Sequence, residues 1–168
     1  MQLGLTIPLQ RRQKLKRLPY GAPLDRCFCW DLHCILLHGR SCLLAVHCST
    51  RYAFTLFDMT AADWAKLPET FLYGLRGSLA AAGVPETQIA AYLQLAGPPE
   101  LTRTHGRREV AFLNRAWDDV AALDYTIDLT AQAQPLLDSA VNAVRCRCAG
   151  YEEIGTAAER LLRELALI

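Results

Sequence analysis

The residues best suited to chemistry fall in three groups. Seven cysteines (Cys27, Cys29, Cys34, Cys42, Cys48, Cys146 and Cys148) share the chain with four histidines. Thiolates and imidazoles are the usual ligands of zinc. In an extended chain Cys42 and Cys48 share a face but lie roughly 20 Å apart at ~3.4 Å per residue, too far for one ion. Cys27 with Cys29, and Cys146 with Cys148, are spaced to point the same way in extended segments, so these four form the zinc alternative. Their x-spacing of one is shorter than the usual two to four, and a free thiol commonly packs as a small apolar core residue.

The second group is Arg11, Arg12, Lys14, Lys16 and Arg17, five cations in seven residues with no acid among them. Outside it the chain carries 13 basic and 17 acidic residues, net −4. A local basic patch of this kind can engage phosphates although the whole chain is only +1. As a solvated helix face, the same residues would cover Leu9, Leu15 and Leu18 with their aliphatic stems. The third group runs from Thr102 through Arg103, Thr104, His105, Gly106, Arg107 and Arg108 to Asn114, where hydroxyls, guanidinium groups and a helix N-terminus could hold a phosphate or carboxylate. His105 is its candidate acid or base. No phosphate-binding loop, dinucleotide fingerprint, nucleophile elbow or His-Glu-x-x-His motif is present. A Cys34–His105 nucleophile pair has no supporting context in sequence.

The elements that must position these groups read as α+β: a small antiparallel sheet, a meander around 31–57, layered with five to six helices. Residues 2–7 have β character and 9–18 read as a helix after Pro8. The meander comprises 32–37, a turn at His38-Gly39-Arg40, 42–47 and 51–57. Its middle strand is almost continuously apolar, as a strand covered on both faces should be. Thr60 and Asp63 predict a capping box, with Phe71, Leu75 and Leu79 as the stripe of the helix beyond it and Gly83 as its left-handed end. Pro85 opens another helix. Residues 100–106 are a strand edge or loop, and 107–122 a helix. The last helix is placed at 151–167, with Arg160 and Glu164 paired on its outer face. The reading divides the chain into a core domain, 1–129, and a helical extension, 130–168, packed on that core or on a partner.

The stretch Arg40-Ser41-Cys42-Leu43-Leu44-Ala45-Val46-His47, followed by Thr50-Arg51-Tyr52-Ala53-Phe54, resembles an uncharacterised prokaryotic domain family. Asp63, Phe71 and Gly83 are similar to its later features. Thr102 or Thr104, Arg107, Arg108, Leu113 and Asn114 are similar to its Thr/Arg segment and Asn-containing helix, and Lys14 and Lys16 to its Lys-rich N-terminal region. Phe112 stands where the pattern has glycine. The likeness covers roughly residues 1–125, supports the fold and implies no assigned reaction.

At 168 residues with 52% hydrophobic content, the chain has apolar matter enough for a core, which excludes wholesale disorder. The first charges follow the first apolar stretch, the reverse of a secretory signal, and the odd cysteine count predicts reduced thiols in a cytoplasm. No apolar run reaches the ~20 residues of a membrane span. Three functional readings follow. The first is a cytoplasmic binding module in which Arg11–Arg17, Thr102, Arg107, Arg108 and Asn114 form one polar surface for nucleic acid or a partner protein, with no cofactor. The others are an enzyme acting on a phosphorylated or carboxylated small molecule, and a zinc-stabilised interaction domain.

Overall fold

The computed structural model describes residues 1–168. Five strands, β1 (Gln2–Leu5), β2 (Cys29–Leu37), β3 (Arg40–His47), β4 (Ala53–Leu56) and β5 (Glu100–Arg103), form one sheet in the order β4-β3-β2-β1-β5. The meander of β2, β3 and β4 is antiparallel as expected. The sheet is nevertheless mixed rather than antiparallel, because β1 lies between β2 and β5 and runs parallel to both. Parallel neighbours need long crossovers: residues 6–28 join β1 to β2, and 57–99 carry the chain from β4 at one border to β5 at the other, beside β1.

Seven α-helices cover the two faces: α1 (Ile7–Arg12), α2 (Ala61–Ala65), α3 (Leu67–Ala81), α4 (Glu86–Ala96), α5 (Arg107–Ala122), α6 (Pro135–Asn142) and α7 (Ala157–Leu165). Alternation along the strands divides the core. Leu3, Leu5, Trp30, Leu32, Leu43, Ala45, Phe54 and Leu56 face α1, α3, α4 and α7. Ile35, Leu37, Cys42, Leu44, Val46 and Ala53 face α5 and α6. β3, packed on both sides, is continuously apolar from Cys42 to Val46.

Local chemistry sets the helix limits. Thr60 and Asp63 form the capping box at α2, and Gly83, at φ 86°, follows α3. Helix α1 stops six residues short of the predicted end. Lys14 adopts φ 53°, and the Leu15 N–H reaches back to the Gln10 carbonyl, closing the helix in a Schellman-type cap. Helix α7 begins at Ala157, not 151, because Thr156 and Glu159 make a second capping box. Its Arg160 is 2% exposed rather than on the outer face, and it donates to the carbonyls of Thr50, Cys146 and Gly155. Glu164, the partner expected for it, instead takes hydrogen bonds from Ser49 and Tyr151.

β4 is a border strand, and its outer backbone groups are met by side chains of α6. Asn142 accepts from the Ala53 N–H and donates to the Ala53 carbonyl, while Asp138 accepts from the Thr55 N–H at 2.9 Å. Such edges need a cover. Asp138 is buried, and burial pushes its carboxyl well above the ordinary range against the opposing bonds from Thr55 and Ser78. A carboxyl raised in the folded state loses stabilisation as pH climbs past the unfolded value near 3.8. Asp138→Asn, which keeps the acceptor for Thr55, is therefore expected to gain stability relative to wild type between pH 4 and 7. Asp138→Ala, which strips that acceptor, should lose about 2–3 kcal/mol. Urea denaturation of the three proteins across this pH range measures both.

Candidate functional sites

The residues singled out by sequence are divided between the two faces of the sheet. Arg11, Arg12, Lys14, Lys16 and Arg17 follow or belong to α1, whose Leu9 is buried in the same core as α3 and α4. Arg107, Arg108 and Asn114 lie on α5, against the other face. The single polar surface expected from these residues is therefore not formed. Thr102 is fully buried, its hydroxyl donating to the Arg103 carbonyl. Arg107 and Asn114 are exposed on α5, and Arg108 turns to Glu109 at 2.7 Å. Of the residues in the enzyme reading, Arg108 thus reaches the surroundings of His105 through Glu109 and Arg26, while Arg107 and Asn114 are open to solvent.

Arg103 is the residue that joins the basic segment. Its register partner Leu5 faces the α1 side, so Arg103 projects there too. It lines a concavity of about 250 Å³ with Ile7, Gln10, Arg11, Leu15 and Arg17. Its guanidinium also stacks on Tyr20, 4.4 Å from the ring centroid, and Arg12 lies over Trp64 at 4.6 Å. Every ion pair in the molecule involves other residues, so none of these six cations is neutralised by a carboxylate. The left-handed turn at Lys14 folds the segment back and places Arg17 beside Arg11 in this concavity.

The second site is buried beneath the first turn of α5. Asp31 on β2 and Gly4 on β1 are register partners facing that helix. A Cβ at position 4 would overlap Asp31 Oδ1 and lie 2.9 Å from both His105 Nδ1 and Thr104 Cα. Only glycine leaves room for His105, in the loop after β5, to reach Asp31. The Nδ1–Oδ1 separation is 2.6 Å, and the His105 peptide N–H lies 3.3 Å from each Asp31 oxygen. Nε2 faces Gln2 Oε1 at 3.2 Å, and Cys48 Sγ lies 3.4 Å from Nδ1. Burial alone would lower the imidazole's pKa, but hydrogen bonding and charge from Asp31 override it and push it up to about 9. Burial pushes the Asp31 carboxyl up, with the His105 contacts opposing it. At the rim, Arg26 and Arg108 both contact Glu109 Oε1, and Arg26 donates to the His105 carbonyl.

The cysteines of the zinc alternative do not gather. Cys29 faces Gln2, Cys146 accepts from Arg160 and Cys148 points to the Ser49 carbonyl. Cys27 lies instead beside His47 and Glu164. All seven cysteines are free. Two other sets do bring ligand atoms together, Cys27–His47–Glu164 and Asp31–Cys48–His105. In the first, both His47 nitrogens are spent, Nε2 on the Cys27 carbonyl and Nδ1 on Thr50 Oγ1, each at 2.8 Å. Asp31 and Cys48 were missed by sequence reasoning because His105 meets them across 74 and 57 residues of chain. The signal available was Gly4, a glycine inside an apolar strand.

Residues 2–160 match the model of a family described as a domain of unknown function, DUF6933. The chain belongs to that family. The match carries through α6 and into α7, beyond the 1–125 covered by the resemblance in sequence, so the DUF6933 region takes in most of the C-terminal helices. No curated protein matches the chain. No helix of this DUF6933 member is long and apolar enough to cross a membrane.

Two outcomes test these sites. Gly4→Ala should destabilise the fold by roughly 2–3 kcal/mol through overpacking, whereas Gly77→Ala, in α3 with nothing near its Cβ, should stabilise by about 0.5–1 kcal/mol; thermal unfolding reads both. His47, completely buried, has its pKa lowered by desolvation. The unfolded state then takes up a proton that the folded state does not, so this residue's contribution to stability falls as pH drops below about 6.5. In NMR spectra its ring resonances should stay constant until acid unfolding, and a midpoint at or above 6.5 in the folded protein would contradict this.

Proposed function

We propose that this domain is a binding module whose α1–β5 corner holds the backbone of a single-stranded nucleic acid. One observation carries the reading: six cations, Arg11, Arg12, Lys14, Lys16, Arg17 and Arg103, gather at one corner without an acidic partner. Three of them, Arg11, Arg17 and Arg103, line the same concavity. Uncompensated cations are where phosphates displace counterions most favourably. Arginine's planar fork suits phosphate oxygens in pairs.

The apolar features of the corner agree with a strand whose bases are accessible. Ile7 is 60% exposed and Leu15 opens into the concavity, while the Tyr20 ring, 70% exposed, is backed by the Arg103 guanidinium. A basic groove with an exposed aromatic ring is the combination by which proteins hold unpaired nucleotides, phosphates on the cations and a base on the ring. The negative balance of the remaining chain confines such contact to this corner.

The test is fluorescence anisotropy of the full chain with a labelled single-stranded oligonucleotide across a salt series. Three phosphate contacts predict a slope of log K against log salt of roughly −2, at about 0.7 per phosphate. Replacing Arg11, Arg17 and Arg103 together by alanine should bring the slope towards zero and weaken low-salt binding more than tenfold. Arg107→Ala with Asn114→Ala, on the other face, should change neither. Absence of low-salt binding, or a slope unaltered by the triple substitution, overturns the proposal.

A further inference from the structure

We propose that Asp31, Cys48 and His105 form a binding site for one zinc(II) ion, separate from the basic corner and made of residues other than those of the Cys-x-Cys alternative. The ligand atoms, a carboxylate oxygen, Sγ and Nδ1, all lie within 4.8 Å of one another. They come from three separate segments, β2, the turn after β3 and the loop after β5. Imidazole, thiolate and carboxylate together suit zinc, a borderline ion without a geometric preference of its own.

One of the distances already suits an ion, and the other lies within a small displacement of it. The single nitrogen Nδ1 faces Asp31 Oδ1 at 2.6 Å and Cys48 Sγ at 3.4 Å, and one N–H cannot serve both. Zinc bonds of about 2.0–2.3 Å arranged tetrahedrally set ligand atoms roughly 3.3–3.8 Å apart. Cys48 and His105 are already at that spacing, and Asp31 need withdraw by only about 1 Å to match it.

The surroundings are also those of a metal-bound histidine. Such a ring usually donates its other N–H to a carbonyl or carboxylate, which fixes its orientation. Here Nε2 faces Gln2 Oε1 at 3.2 Å, and Gln2 is itself held by its amide donating to the Ala22 carbonyl at 2.7 Å. The His105 peptide N–H steadies both Asp31 oxygens, and the bare Cα of Gly4 keeps the space clear. Cys48 and Asp31 are buried at 1% exposure. Binding releases the Cys48 thiol proton and the imidazolium proton to solvent as the Zn–S and Zn–N bonds form, with no change of oxidation state. Three protein ligands leave a fourth position, and the ion would tie the β5–α5 loop to β2 and β3.

The experiment is a cobalt(II) titration of the chelator-treated full chain, kept reduced, followed by visible and near-ultraviolet absorption. One equivalent of cobalt should produce a thiolate-to-cobalt charge-transfer band, which added zinc abolishes, and zinc should raise the thermal midpoint. Cys48→Ser should lose the band while Cys148→Ser keeps it, with circular dichroism confirming that both fold. If wild-type protein shows no band and no rise in midpoint, or if the band survives at full strength in Cys48→Ser, the proposal is wrong.

Discussion

The space above Gly4 governs how one end of this molecule is built. β1 sits between two parallel neighbours, with Leu3 and Leu5 buried in one core and Gly4 turned to the opposite face. Because nothing projects from that residue, the Asp31 carboxylate and the His105 ring meet across it. The loop after β5 is thereby drawn over the sheet, and the first turn of α5 follows, with Glu109 enclosed and held by Arg26 and Arg108. One absent methyl group thus links the sheet's parallel half to the helix that covers its other face.

Burying ionisable groups is costly unless each finds partners, and here each has a different solution. Asp31 has an imidazole and a peptide N–H. Asp138 has a backbone N–H and a hydroxyl. Arg160 has no carboxylate at all: three carbonyls and the Cys146 sulfur take its guanidinium, with the Tyr151 ring 5.5 Å away. These groups stand where distant segments meet, so each specifies a junction more than it deepens a core. Removal of one partner leaves a charge or donor stranded, which makes the junctions intolerant of simple truncation.

What could be read from sequence follows from how local each signal is. The meander of β2, β3 and β4 declares itself through short apolar runs separated by a His38-Gly39 turn, both of whose residues have positive φ. The Thr60–Asp63 box is likewise contained in four residues. β1 and β5 are only four residues each and pair across nearly a hundred positions, so their parallel placement leaves no local trace. Thr156–Glu159 was a legible capping box, overlooked because apolar residues upstream extended the periodicity to Tyr151. The site was only half legible. His105 was visible as a titratable residue in a polar loop, whereas Asp31 lay within a strand and Cys48 read as one thiol among many. Arg103, the cation that completes the basic corner, was legible as part of the Thr102–Asn114 group, but strand alternation turns it away from Thr102 and towards the α1 side.

The borders of the sheet constrain how this molecule can meet others. Along β4, amide and carboxyl side chains of α6 occupy the hydrogen-bonding positions that a further strand would need, and the Phe57 N–H is taken by the Gln132 carbonyl. At the opposite border β5 is brief, and its Arg103 N–H is already given to Pro19. Recruitment by strand addition, the commonest way for one chain to extend another's sheet, thus finds no ready template here. Association has to proceed through side-chain chemistry on the helices and loops, a constraint that also shields the apolar ribbons within from end-to-end stacking.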